Sequence, residues 1–197
     1  MHGEAETRQG LPILAFESQR AWEAWLEENF AASQGIWLKI AKKGSGVEGV
    51  SYAEAVEGAL LYGWIDGQAA SFDERFYIQR FTPRRARSKW SKINRAKVGA
   101  LIEAGRMKPA GLAEIERARA DGRWDAAYDS PSTATVPKDL RERLNENPKA
   151  SALFEALNST NRYAILYQIQ DAKKPETRAR RIEKYVAMLN RGEKPYP

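Results

Sequence analysis

The stretch SYAEAVEGALLYGWIDGQAASFDERFYIQRF, residues 51–81, decides the fold. It opens as a helix and closes as a hairpin. Ser51 followed by Glu54 is a capping box, in which each side chain satisfies an orphan amide of the first turn. Behind it Ala55, Val56, Ala59 and Leu60 share one helical face, and Gly63 stops the helix. Trp64–Phe72 and Arg75–Phe81 then read as two strands joined around Asp73-Glu74, hence antiparallel.

Upstream, Ser18 opens a helical pattern that places Trp22, Trp25 and Leu26 inward. Ile36, Leu38 and Ile40 alternate with Trp37, Lys39 and Ala41 as a strand, and Leu11–Phe16 adds an edge. Downstream, Pro83 breaks the extended run. Ser88 is the expected N-cap of a helix whose apolar stripe is Ile93, Ala96, Ala100, Leu101 and Ala104. A second helix runs from about Pro109 to Ala120. The Pro/Ser/Thr-rich segment DSPSTATVP, residues 129–137, reads as a linker. Only helical patterns follow: Pro137–Asn145, Pro148–Leu157, Asn161–Ala172 and Glu176–Asn190. The expected architecture is α+β, a small antiparallel sheet packed with helices over residues 1–130, then a helical unit over 131–197.

Composition narrows the chemistry. The 197 residues include no Cys and one His, His2, which removes disulfides, thiolate nucleophiles, Cys-ligated metals and histidine triads. No repeated carboxylate grouping supports a metal site, and nothing calls for a cofactor. The start, MHGEAETRQGLP, has no apolar run behind a basic head, and no segment is long enough to span a bilayer. A cytoplasmic protein is expected, with its oligomeric state left open.

Charge is unevenly placed. Residues 1–79 hold 6 basic and 12 acidic side chains, whereas Arg80–Lys97 holds 8 basic and none acidic. Arg84, Arg85 and Arg87 fall just before the expected helix start at Ser88, where a positive helix end disfavours cations unless an anion sits among them. Lys89 extends the charge and Trp90 offers a stacking face; phosphate contacts beside an aromatic platform hold nucleotides or single strands. In GWIDGQ, Trp64 and Asp66 share one side of a strand, with Gly63 and Gly67 leaving room beside them. The candidate ligand-binding set is therefore Trp64, Asp66, Gly67, Arg84, Arg87, Ser88, Lys89, Trp90 and Asn94, with no catalytic residue assigned. Each signal has an ordinary alternative: for the basic run a solvated face or pairing with the acidic first third, and for GWIDGQ a hairpin turn pair at Asp66-Gly67 with Gly63 as a helix C-cap. Arg178, Arg181 and Lys184 form a further basic face on the last helix. Trp22, Trp25 and Trp64 are expected in the core, and Trp90 and Trp124 partly exposed.

GIWLKIAKKGSG (35–46), SYAEAVEGALLYGWIDGQ (51–68), FTPRRARSKWSKIN (81–94), AGRMKPAGLAEIERARADGRWDAAY (104–128) and AKKPETRARRIEKYVAML (172–189) follow, in order, the pattern of a known family. From about Phe16 to Leu189 the chain resembles the bacterial YdeI/OmpD-associated family, also labelled bacteriocin-protection. The part from about Val136 resembles the helical module for which the family is named. The resemblance implies a stress or antimicrobial-peptide (bacteriocin) tolerance factor and brings no established catalytic residues. It places Trp64, Asp66, Gly67, Arg84, Ser88, Trp90, Ser91 and Asn94 in signature stretches. Binding of an anionic ligand, rather than catalysis, is the expected mode, with an anionic small molecule or nucleic acid as partner. Two alternatives stand beside it: a nucleic-acid-binding module, and a small-molecule enzyme using Asp66.

Overall fold

The computed structural model describes residues 6–197; His2 and most of the polar start lie outside the described residues. The chain forms two compact units, Met1–Trp90 with Asn94–Ala126, and Ser91–Ile93 with Ala127–Pro197. The fold class is α+β.

The first unit is built on a five-stranded sheet of β1 (Thr7–Arg8), β2 (Leu11–Leu14), β3 (Ile36–Ala41), β4 (Trp64–Ser71) and β5 (Phe76–Pro83), in the order β1-β2-β3-β5-β4. Three pairings are antiparallel, but β2 and β3 run parallel, so the sheet is mixed rather than antiparallel. The cause is α1 (Gln19–Asn29): a helix between two adjacent strands carries the chain back to the edge where it started. Ser18 caps α1, accepting from the Ala21 amide at 3.2 Å.

The capping box at Ser51 and Glu54 forms as the spacing requires and starts α2 (Tyr52–Leu61). Gly63 follows with φ +74, the left-handed turn into β4. Trp22 of α1 joins these elements: its ring meets Phe81 at 5.7 Å and Trp64 at 6.4 Å, and its indole N–H donates to the Ala55 carbonyl at 3.0 Å. Trp22 and Trp64 are fully buried, and Trp25 half-buried.

The other face of the sheet holds a second cluster. Leu11, Trp37 and Ile78 pack there with Ile13, Ala70 and Phe72, so Trp37, which alternates with Ile36, Leu38 and Ile40, is buried as they are. Its indole N–H donates to the Arg8 carbonyl at 3.0 Å, and the Arg8 guanidinium lies 5.0 Å from its ring. The short β1–β2 hairpin covers that face where a helix would otherwise be needed.

Helices α3 (Lys92–Glu103) and α4 (Pro109–Ala120) complete the unit. Helix α3 begins four residues later than Ser88, and of its expected stripe Leu101 alone is buried. Val98 and Leu101 are buried while Ile93 and Ile102 are 46% and 42% exposed. At Gly111, α4 packs directly on the C-terminal end of α2.

The second unit packs α5 (Lys138–Asn145), α6 (Pro148–Ala156), α7 (Ser159–Gln170) and α8 (Pro175–Asn190). Its core joins Leu140, Leu144, Phe154, Ile165, Ile169 and the α8 face Ile182, Tyr185, Val186 and Leu189. Arg178 clamps α8 to α5, its guanidinium bonding both Asp139 oxygens at 2.5 and 2.9 Å. That hydrogen bonding holds the Asp139 carboxyl below its ordinary range. No helix among the described residues is long and apolar enough to cross a membrane.

Candidate functional site

The basic segment leaves β5 at Pro83 and forms an irregular turn before α3. Ser88 does not cap a helix; its Oγ accepts from the Arg85 amide at 2.9 Å and closes the turn. Residues 84–89 therefore do not sit on a helix N-terminus, and the dipole argument of the sequence does not apply to them.

What fixes the turn is a stack of arginines and tryptophans. The Arg84 amide donates to the Gly63 carbonyl at 3.0 Å, tying the turn to the end of α2. The Arg84 side chain, 5% exposed, lays its guanidinium 3.6 Å over the Trp90 ring and donates to the Lys89 carbonyl at 3.1 Å. Trp90, 1% exposed, meets Trp124 edge-on at 5.0 Å. Trp124, half-buried as expected, has the Arg95 and Arg119 guanidinia 5.0 and 5.2 Å from its ring. Arg95 also donates to the Trp124 carbonyl at 2.8 Å, and Arg123 to the Ser88 carbonyl at 2.8 Å. Guanidinia on aromatic faces replace the face a ligand base would need. Trp90, expected to be partly exposed, is a core side chain.

The GWIDGQ residues lead from the end of α2 into β4 beside the start of the turn, with Trp64 paired to Pro83 and Asp66 to Phe81. Trp64 is 1% exposed, and its indole N–H donates to the Phe30 carbonyl at 3.2 Å. The half-buried Asp66 accepts from the Tyr52 hydroxyl at 2.7 Å. Gly67 is exposed in the irregular stretch between Asp66 and Ala69, and its carbonyl accepts from the Gln79 side-chain Nε2 at 2.7 Å. Asn94 is half-buried in the first turn of α3.

Arg85, Arg87 and Lys89 are exposed. Three carboxylates of the acidic first third pair with the α3–α4 connection instead. Glu23 and Glu57 reach Arg106 at 2.8 and 3.3 Å, and Glu27 reaches Lys108 at 3.3 Å. Among the described residues, neither Arg85 nor Arg87 has an ion pair, and no group of three His, Cys, Asp or Glu is placed to hold a metal.

The second unit contains a concavity that the sequence reading missed, a cleft of ≈ 710 Å³ between α7 and α8. Tyr163, Tyr167, Tyr185 and Tyr196 form its walls with Met188, and Lys184 joins the lining. Of the three cations expected on α8, only Lys184 faces it. Arg178 is held by Asp139, and Arg181 donates to the Gln168 carbonyl and lies 3.8 Å from Asp171. The readable signal was in the tyrosines: five of the eight follow residue 127.

Tyr163 donates its hydroxyl to the Asp129 carbonyl at 2.7 Å. Burial, reinforced by Tyr128, Tyr167 and Asp129, pushes its phenol up to about 12. A phenol raised in the folded state contributes stability that is present in full below its unfolded value of about 10 and is lost as pH rises toward 12. Absorbance titration of phenolate will show one tyrosine ionising near pH 12, and Tyr163→Phe will remove that step. The variant will also flatten the loss of second-unit stability across that interval. Ionisation of every tyrosine at ordinary pH would contradict this placement.

Residues 14–114 match the model of a family described as a domain of unknown function (DUF8412). Residues 133–192 match the family described as bacteriocin-protection, YdeI or OmpD-associated. No curated protein matches the chain, and no solved structure does.

Proposed function

Since the chain belongs to the family of that domain of unknown function and carries a YdeI- or OmpD-associated domain behind it, we propose that it is a cytoplasmic binding protein. Its basic turn holds an anionic ligand through Arg85 and Arg87. The observation that carries this reading is the placement of those two side chains. They stand exposed and, among the described residues, without an ion pair on a turn stiffened by stacked neighbours, while Glu23, Glu57 and Glu27 of the acidic first third are committed to Arg106 and Lys108. Two exposed guanidinia carry ten N–H donors, and the planar fork of each suits phosphate. A role in stress or antimicrobial-peptide tolerance comes to the chain through the name of its C-terminal domain. Capture of cationic peptides by this turn is disfavoured, because like charges repel.

The reading differs from the sequence expectation in its contacts. Arg84 and Trp90 serve as the frame of the turn, and Trp64 belongs to the core. The enzyme alternative requires an enclosed Asp66; the half-exposed carboxylate bonded to Tyr52 gives it little support.

Fluorescence anisotropy with a labelled mixed-sequence single-stranded oligonucleotide, beside free pyrophosphate as a competitor, tests the reading. Affinity will fall about tenfold between about 50 and 200 mM salt, and Arg85→Glu/Arg87→Glu will abolish binding. Competition by pyrophosphate at low concentration would assign the site to a small anion rather than to a strand. Equal binding by the variant, or no binding of either probe at low salt, would overturn the proposal.

A further inference from the structure

The cleft of the second unit has a construction of its own. Helix α7 is apolar on two sides. Ile165, Leu166 and Ile169 enter the core, while Tyr163, Ala164 and Tyr167 lie on the other side at i, i+1 and i+4 and are only half-buried. Successive turns of one helix thus present two phenol rings, 5.8 Å apart and tilted at 46°. From α8, Lys184, Tyr185 and Met188 supply the facing wall, and Tyr185 is anchored in the core, 8% exposed. The third wall is the chain after α8. Tyr196 is placed by its amide, which donates at 2.8 Å to the Asn161 Oδ1, and Asn161 is itself 1% exposed. A buried asparagine that holds a mostly exposed tyrosine over a cleft fixes aromatic surface where core packing does not need it.

Such a volume, walled by aromatic side chains with Ser159, Thr160, Gln168 and Lys184 among its polar groups, is that of a small-molecule site. The sign of the ligand follows from the lining. Tyrosine walls alone suit cations, which the ring faces attract. Here the lining contains an ammonium, Lys184, whose Nζ lies 5.5 Å from the Tyr185 ring, and no carboxylate. Burial raises the Tyr163 and Tyr185 phenols further above neutral pH, so these two add no negative charge to the cleft. A second cation would meet like charge at the only charged group of the lining, whereas an anion completes it.

We propose that the cleft between α7 and α8 binds a flat organic anion, an aromatic ring system stacked between the tyrosines with its carboxylate or sulfonate on Lys184. This site is independent of the basic turn of the first unit, and either proposal can fail alone.

The test uses a matched pair of fluorescent probes, anilinonaphthalene sulfonate and its uncharged parent phenylnaphthylamine, on the full chain at neutral pH. The sulfonate will bind at least about fivefold tighter than the parent at low salt. Lys184→Glu, at an exposed position, will remove that preference and leave the parent unchanged. Ala164→Trp will fill the cleft and displace both probes, with its melting temperature checking that the unit remains folded. Arg85→Glu/Arg87→Glu will alter neither. Equal affinity of the two probes, or a sulfonate preference that survives Lys184→Glu, overturns the assignment of an anion. Binding of both probes that survives Ala164→Trp in a folded variant, or no binding of either probe, overturns the site itself.

Discussion

Gly111→Ala will destabilise the first unit by about 2 kcal/mol or more, although the same change in an exposed helix stabilises by up to about 1 kcal/mol. The reason is distance. A Cβ at Gly111 would lie 2.3 Å from the Leu61 carbonyl oxygen, 2.8 Å from that of Leu60 and 2.6 Å from the Met107 methyl. The methyl can rotate away; the two carbonyls belong to the last turn of α2 and cannot move without separating the helices. Gly99→Ala is the internal control. Gly99 lies within α3 with nothing inside 4 Å of its Cβ position, and alanine there will raise stability by about 0.5–1 kcal/mol. Urea denaturation of the two variants will shift the midpoint in opposite directions. A raised midpoint for Gly111→Ala would mean that α4 does not approach α2 as described.

The second large effect separates the frame of the basic turn from its exposed charges. Arg84→Glu will cost about 3 kcal/mol or more, because it buries a carboxylate where a guanidinium is stacked 3.6 Å over Trp90 and bonded to the Lys89 carbonyl. Arg84→Lys keeps the charge but not the planar stack, and will cost about 1–2 kcal/mol. Arg85→Glu/Arg87→Glu, two residues from the same run, will change stability by less than about 1 kcal/mol, since both side chains are exposed. Three neighbouring arginines that look alike in sequence thus divide into one that holds the turn and two that the turn presents. Melting curves of the three variants check this; a fully stable Arg84→Glu protein would place Arg84 outside the frame.

The elements written in local chemistry were legible. The Ser51–Glu54 box, the left-handed Gly63 and the hairpin about Asp73-Glu74 each depend on residues within a few positions, and each forms as the spacing requires. The C-terminal helices were legible as helices too, α8 most plainly through the spacing of Ile182, Tyr185, Val186 and Leu189. What was not legible depends on contacts between distant segments. Trp37 lies on the opposite face of β3 from Ile36, Leu38 and Ile40, and the β1–β2 hairpin supplies there a second cover that no period in β3 announces. Ser88 has the residue type of an N-cap, but its hydroxyl is claimed by Arg85, and the chain stays irregular so that Trp90 can lie between Arg84 and Trp124. Of the candidate site, the charge of the run could be read. The exposure of Arg85 and Arg87 and the burial of Arg84 could not, because stacking partners more than thirty residues apart decide it. The tyrosine cleft escaped because α7 carries apolar residues on two sides, so no single stripe points to either.

The most direct test of the central claim is the slope of log K against log salt for single-stranded oligonucleotide binding. It is compared for the unmodified protein and for Arg85→Gln/Arg87→Gln, which removes both charges without reversing them. Each single-strand phosphate contact contributes about 0.7 to the slope, so the account predicts that the variant's slope is shallower by about 1.4, with unchanged folded stability. Identical slopes would mean that Arg85 and Arg87 touch no phosphate, and would contradict the assignment of the anion site to this turn.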